Sequence, residues 1–298
     1  MAAPVTVEEL LALGTRVLSD STHIFEDHDN ELEARMLMAS VLSTPEDGLP
    51  LARRLTPRMR DRYLALIARR AAGEPTPLLT GHIEFYGLDL KVKAGPFVPR
   101  PSSELMVDQA VKRLRRFQDP VMVDICTGAG PIALAVADEL KGADVWGSDI
   151  AAEGLRQARS NARRLNITNV SFARGDMYSA LPARLRGGVD VVTGHVPYVP
   201  FGELDDLPTE VREHEPISTL SDESSPDGLD LMRRAVKEAP EWLGPGGWLM
   251  LEMSDDVAGE VEEMCLDAGF VEVGTITDDD ELSVVVEGRI PKRQRPPR

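Results

Sequence analysis

Val121-Met-Val-Asp124-Ile-Cys126-Thr127-Gly128-Ala-Gly130-Pro131-Ile-Ala-Leu-Ala-Val-Ala137 is the stretch that decides the fold. An apolar run ends in an acid, a glycine loop follows, and Pro131 opens a helix of small and apolar residues. About twenty residues past the loop, a second run, Ala143-Asp-Val-Trp-Gly-Ser148, ends at Asp149. Strand, glycine loop, helix, strand and acid, in that order, make a unit that binds a nucleoside-bearing molecule.

The loop spacing narrows the choice of nucleoside. A dinucleotide loop reads G-x-G-x-x-G and lays a pyrophosphate on the helix N-terminus. Here the pattern is D-x-C-x-G-x-G, and the third glycine of the dinucleotide pattern is missing. No G-K-[ST] follows, which excludes a P-loop. Asp124 would repel a phosphate but accepts hydrogen bonds from an ammonium group. S-adenosylmethionine has an amino-acid end, a sulfonium and a ribose, and no phosphate, so it suits this loop. Asp149 is placed to accept from the ribose hydroxyls. Asp176, at the exit of a third strand from Val170, is placed for an adenine amino group. A fourth strand, Val189-Asp-Val-Val-Thr-Gly194, runs into His195-Val196-Pro197-Tyr198. Ligands of open α/β sheets lie outside the carboxyl ends of the strands, so these four exits are expected to share one crevice.

Further stretches make the pattern specific: Gly81-His-Ile-Glu84-Phe85-Tyr86-Gly87, Val98-Pro99-Arg100-Pro101-Ser-Ser-Glu104-Leu105, Ser148-Asp149-Ile150, Gly175-Asp176, Glu215-Pro216 and Asp227-Gly228-Leu229-Asp230. Taken in order, from about residue 30 to 290, the chain resembles the HemK/PrmC family. These are class I methyltransferases that methylate the side-chain amide of glutamine in peptide-chain release factors. The resemblance implies a Rossmann-like α/β domain with a doubly wound, mostly parallel sheet and a small N-terminal helical domain. It implies S-adenosylmethionine as cofactor. The residues expected to hold it are Asp124, Cys126, Thr127, Gly128, Gly130, Asp149, Ile150, Asp176, Met177, Arg100 and Pro101. It also implies a protein substrate such as a release factor. The catalytic set falls on His195, Val196, Pro197 and Tyr198, where the family carries Asn-Pro-Pro-Tyr.

That departure bears on the chemistry. Methyl transfer from a sulfonium is an in-line displacement needing a nucleophile about 3–3.5 Å from the methyl carbon, and positioning supplies much of the rate. An amide nitrogen is a poor nucleophile because its lone pair is delocalised. By resemblance, the asparagine and the next backbone carbonyl hold the amide NH2 group. An asparagine accepts and donates at once, whereas a neutral imidazole has one donor and one acceptor on opposite sides of the ring. Val196 keeps the backbone carbonyl, and Pro197 and Tyr198 keep a rigid turn and an aromatic wall. Three readings of His195 stay open. It grips an amide in altered geometry, it acts as general base for a hydroxyl or amine of a small metabolite or peptide, or it packs in a non-catalytic cofactor-binding protein.

Composition sets the bounds. With 298 residues, 28% charged and 42% apolar, the chain suits a two-domain globular protein. Two cysteines, Cys126 and Cys265, make no disulfide framework, and no Cys/His cluster has zinc spacing, so no metal is expected. No apolar run approaches the ~20 residues of a membrane span. The N-terminus lacks the basic and apolar regions of a signal peptide, so a cytoplasmic location is expected. A net charge of −17 argues against direct DNA binding, which needs a basic footprint. Basic residues do gather at Arg53, Arg54, Arg58, Arg60, Arg62, Arg69 and Arg70, read as the solvated face of a helix or, alternatively, as a docking face for an acidic or RNA-bound protein partner.

Residues 1–80 read as helices with no chemistry of their own and are assigned to substrate recognition. Apolar stripes run over Val7–Leu18 and Glu31–Leu42, and Thr56-Pro57 opens a third helix. Residues 81–93 read as a hairpin linker around Gly87, with His82 and Glu84 as linker residues. Residues 94–290 form the methyltransferase domain, and 291–298 a disordered tail. The run Asp278-Asp-Asp-Glu281 reads as a solvated loop.

Overall fold

The structure is a computed structural model that describes residues 5–24, 29–277 and 284–292. The Asp278–Glu281 run and residues 293–298 of the proposed tail lie outside the described residues. The chain divides into two units. The first comprises residues 1–83, 92–94 and 205–215, and the second 84–91, 95–204 and 216–298.

The first unit holds α1 (Val7–Ser19), α2 (Asn30–Leu42), α3 (Pro57–Ala71) and α4 (Thr76–Thr80). Thr6 caps α1 in a reciprocal box with Glu9, and Thr56 caps α3 with Pro57 in its first turn. Leu10, Leu18, Leu37, Met38, Tyr63 and Ile67 fill the core between these helices. Arg70 departs from the solvated-face reading. It lies on the same stripe as Tyr63 and Ile67 and is fully buried. Its Nε donates to Glu33 Oε2 (2.7 Å) and its Nη1 to Glu210 Oε2 (2.8 Å). Thr76 Oγ1 donates to Glu33 Oε1 (3.0 Å). Glu210 belongs to a short helix far along the chain, Thr209–Arg212. The buried arginine therefore ties segment 205–215 into a unit otherwise built from the N-terminal helices.

Next along the chain comes a hairpin of β1 (His82–Phe85) and β2 (Leu88–Lys91). His82 and Glu84 lie on its exposed face. Within the second unit, Tyr86 N donates to Glu104 Oε1, and Lys91 exchanges two backbone hydrogen bonds with the Asn161 side chain.

The second unit alternates α5 (Glu104–Leu114), β3 (Val121–Ile125), α6 (Pro131–Glu139), β4 (Asp144–Asp149), α7 (Ala152–Arg164), β5 (Val170–Arg174) and β6 (Val189–Gly194). After the short α8 (Thr209–Arg212) of the first unit come α9 (Asp230–Trp242), β7 (Leu243–Met253), α10 (Asp255–Asp267), β8 (Val271–Thr277) and β9 (Val284–Arg289). The strands form one seven-stranded sheet in the order β5-β4-β3-β6-β7-β9-β8. β3 to β7 are parallel, and β9 enters antiparallel between β7 and β8. Strands buried on both faces are read as continuous apolar runs, which is why Val121–Ile125 and Val189–Val192 were legible. The expected doubly wound, mostly parallel sheet is thus present. Strand order reverses between β3 and β6, so the crevice of this sheet opens at their carboxyl ends. No helix among the described residues is long and apolar enough to cross a membrane.

Candidate active site

Asp124 anchors the switch point. It is buried at the end of β3, in register with Thr193 of β6. Thr193 Oγ1 donates to its Oδ1 (2.7 Å) and Thr127 Oγ1 to its Oδ2 (2.5 Å). Burial pushes its carboxyl up to about 7, against the pull of the two threonine hydroxyls. At neutral pH it is therefore poised between acid and carboxylate, and a cation arriving beside it would favour the carboxylate.

The glycine loop is fixed to the second strand. Thr127 N donates to Ser148 O (3.0 Å), and Gly128 N donates to Asp149 Oδ2 (2.8 Å). Gly130 takes φ of +78°, and a Cβ there would stand 2.9 Å from Ala158 Cβ, so only glycine turns the chain into α6. Cys126 adopts a positive φ of 52° where a glycine would carry no strain. Burial drives its thiol well above the ordinary range, so it is no thiolate nucleophile. Asp149 Oδ1 accepts from Ala151 N (2.7 Å), and burial raises its carboxyl. Each oxygen keeps a lone pair beyond these backbone bonds, the capacity a ribose diol requires. Ile150 beside it is 67% exposed, an apolar surface suited to a nucleobase face. The structure brings Asp124, Thr127, Gly128, Gly130, Asp149 and Ile150 together on one side of the switch point. Asp176 follows β5, where Gly175 N donates to Asp149 O (3.0 Å). Its Oδ2 accepts from Arg234 (2.8 Å), and Met177 behind it is buried.

The tetrad extends from β6. His195 is stacked with Tyr198 (ring centroids 6.0 Å apart, 16° between planes) and packs edge-to-face with Phe97 (5.1 Å, 62°). The Arg100 guanidinium lies over the Phe97 ring, 4.9 Å from its centroid. Pro101, itself exposed, opens a 3₁₀ turn, Pro101–Ser103, that ends on buried Ser103. Val196 is fully buried, and Ser254 hydrogen-bonds Tyr198 while burial raises its phenol. The sequence reading missed Glu252, Ser103 and Phe97. Glu252 Oε2 lies 3.4 Å from His195 Nδ1, and Ser103 Oγ donates to Glu252 Oε1 (2.9 Å). Glu252 was signalled only as a lone acid within the apolar run Trp248–Met253.

A methyltransferase domain model matches residues 118–282, and a PrmC N-terminal domain model matches residues 9–81. Proteins named release factor glutamine methyltransferase match over most of the chain. That of Bradyrhizobium diazoefficiens is 35% identical over 81% of each chain. That of Geobacter sulfurreducens is 34% identical over 87% of this chain and 89% of its own. The Streptomyces coelicolor protein is 38% identical over 67% and 70%. The chain belongs to the release factor glutamine methyltransferase family.

Solved structures agree on the fold of this family member. A methyltransferase from Pyrococcus furiosus superposes with a TM-score of 0.50 at 20% identity, covering 69% of this chain and 90% of its own. A T. thermophilus 16S rRNA N2 G1207 methyltransferase in complex with AdoMet and guanosine gives 0.52 at 17%, covering 70% and 49%. The chain is an S-adenosylmethionine-dependent methyltransferase. The switch-point residues fit that cofactor: a buried acid for an ammonium, a diol acceptor, and an exposed apolar side chain, with no phosphate-binding feature.

Proposed function

We propose that this enzyme methylates the side-chain amide nitrogen of a glutamine in a protein substrate, a release factor being the first candidate. The observation that carries this reading is the pairing of a PrmC N-terminal domain with the methyltransferase domain in this chain, beside relatives whose names specify that reaction. The cofactor supplies an electrophilic methyl group on a sulfonium. Asp124 and the Thr127–Gly128 backbone hold its amino-acid end, Asp149 its ribose, and Ile150, Asp176 and Met177 its base. The Val196 carbonyl accepts from the substrate NH2 group, His195 takes the place of the family's asparagine, and Tyr198 walls the nucleophile. The helical unit recognises the protein substrate. A net charge of −17 supports a protein partner over DNA, and the composition supports work in the cytoplasm.

The His195–Glu252 contact favours a second reading, an N- or O-methylation of a small metabolite or peptide that sheds a proton to His195. Purified enzyme with labelled cofactor, a release factor and a cell extract separates the two. A methylated glutamine in the release-factor digest supports the first reading. Label confined to the small-molecule fraction overturns it in favour of the second.

A further inference from the structure

His195 differs from an asparagine in one respect that the surroundings exploit. Its two ring nitrogens lie on opposite sides, and the proton sits on whichever nitrogen meets an acceptor. Nδ1 lies 3.4 Å from Glu252 Oε2, an electrostatic contact that a small closure and reorientation would turn into a hydrogen bond. Glu252 is 1% exposed, and its other oxygen accepts from the Ser103 hydroxyl at 2.9 Å. Ser103 is itself buried at the start of α5. Phe97, in a T-shaped pair, and Tyr198, in a stacked one, restrict the ring. A buried carboxyl aimed at one nitrogen of a clamped imidazole fixes both orientation and tautomer.

We propose that Glu252, braced by Ser103, is a positioning residue that holds neutral His195 protonated at Nδ1, leaving Nε2 as the proton acceptor for the methyl acceptor. The rate consequence rests on the amide reading above. When the amide nitrogen is methylated, the N–C bond forms and the C–S bond breaks with its electron pair going to sulfur. One N–H proton must then leave. Nε2 takes it, and the resulting imidazolium is stabilised by Glu252. An asparagine in this position has no comparable basic lone pair. The other charged or titratable groups bearing on this cluster include Arg100 over Phe97, Tyr198 on the same loop, Asp124, which is coupled electrostatically to Glu252, and Asp256, which acts on Tyr198.

The tautomer is measured on the full-length enzyme without any substrate. Histidine ¹⁵N–¹H long-range spectra, with His195 assigned by its loss in His195→Asn, should show neutral His195 protonated at Nδ1. Glu252→Gln, whose amide can also donate, should lose that preference, while calorimetric cofactor affinity stays within about threefold. A neutral His195 protonated at Nε2 in the wild type overturns the proposal. In the transfer assay, Glu252→Gln should lower kcat about 10- to 100-fold with KM within about threefold, and move the acid limb of the pH–rate profile to lower pH. Ser103→Ala should do the same more weakly. Wild-type kcat in Glu252→Gln also overturns the proposal. A wild-type enzyme that modifies no glutamine sinks the amide reading, and the tautomer measurement then decides the proposal alone.

Discussion

Thr193 donates to Asp124 across the two strands where the sheet order reverses, so a buried acid of the site is held by a side chain from the strand that leads into the tetrad. Asp124 in the folded protein is raised to about 7 from an ordinary 3.8. Below about pH 4 it is protonated in both folded and unfolded chains and has no effect. Between there and about pH 7 only the unfolded chain gives up the proton, so stability falls as pH rises. Above that the whole cost is present, of order 4 kcal/mol. Cofactor-free Asp124→Asn should therefore gain stability over wild type on going from about pH 5 to 8, as read by denaturant melts. The cofactor's ammonium favours the ionised form, so cofactor binding should release a proton near neutral pH. Calorimetry in buffers of different ionisation enthalpy checks this. Equal pH dependence in both proteins would place the titration elsewhere.

Gly228 lies against the backbone of the tetrad loop. Its φ is +71°, and a Cβ there would stand 2.7 Å from Val199 C and Pro200 N, and closer still to the Tyr198 carbonyl oxygen. Backbone cannot yield as a flexible side chain does, so Gly228→Ala should push the Tyr198–Pro200 segment out of place. The strain is of order 1–3 kcal/mol. Because Asp124 and Asp149 lie on other strands, transfer should fall at least about tenfold while cofactor affinity holds. A variant with normal kcat would show that the loop relaxes freely.

Much of this was legible in the chain because the cofactor side is local. Strand, loop and acid follow one another within residues 121–149, and their backbone bonds join neighbours on β3 and β4. The tetrad was legible for the same reason. Glu252 was not, because its meaning depends on β7 lying beside β6 and on the 3₁₀ turn at Ser103, about 150 residues away. Phe97 was not legible either, because its meaning depends on packing that brings it against both the Arg100 guanidinium and the His195 ring. Segment 205–215 gave no local sign of belonging with the N-terminal helices, since Glu210 and Arg70 are brought together by a return of the chain.

Asp149 tests the cofactor assignment directly. Asp149→Ala removes the proposed acceptor for the ribose and also frees Gly128 N–H and Ala151 N–H. S-adenosylmethionine binding should weaken by about 1–3 kcal/mol, the loss of charge-assisted hydrogen bonds. Asp149→Asn keeps an acceptor for the loop and should fall between. Unchanged calorimetric affinity in a folded Asp149→Ala protein would remove Asp149 from the site.

Arg70 tests how the helical unit is assembled. Its guanidinium is fully buried between Glu33 and Glu210, so removing it leaves two buried carboxyl groups without their cation. Breaking such a cluster costs about 3–5 kcal/mol. Arg70→Ala should raise hydrogen exchange across α2, α3 and residues 205–215 together, and leave β3 to β7 protected. Glu210→Gln, which keeps an acceptor, should open 205–215 with a smaller effect on α2 and α3. Because residues 205–215 follow the tetrad by only a few positions, loosening them should cost transfer to a protein substrate more than cofactor affinity. Exchange confined to 205–215 in Arg70→Ala, with α2 and α3 unchanged, would show that the helices hold together without the buried ion cluster.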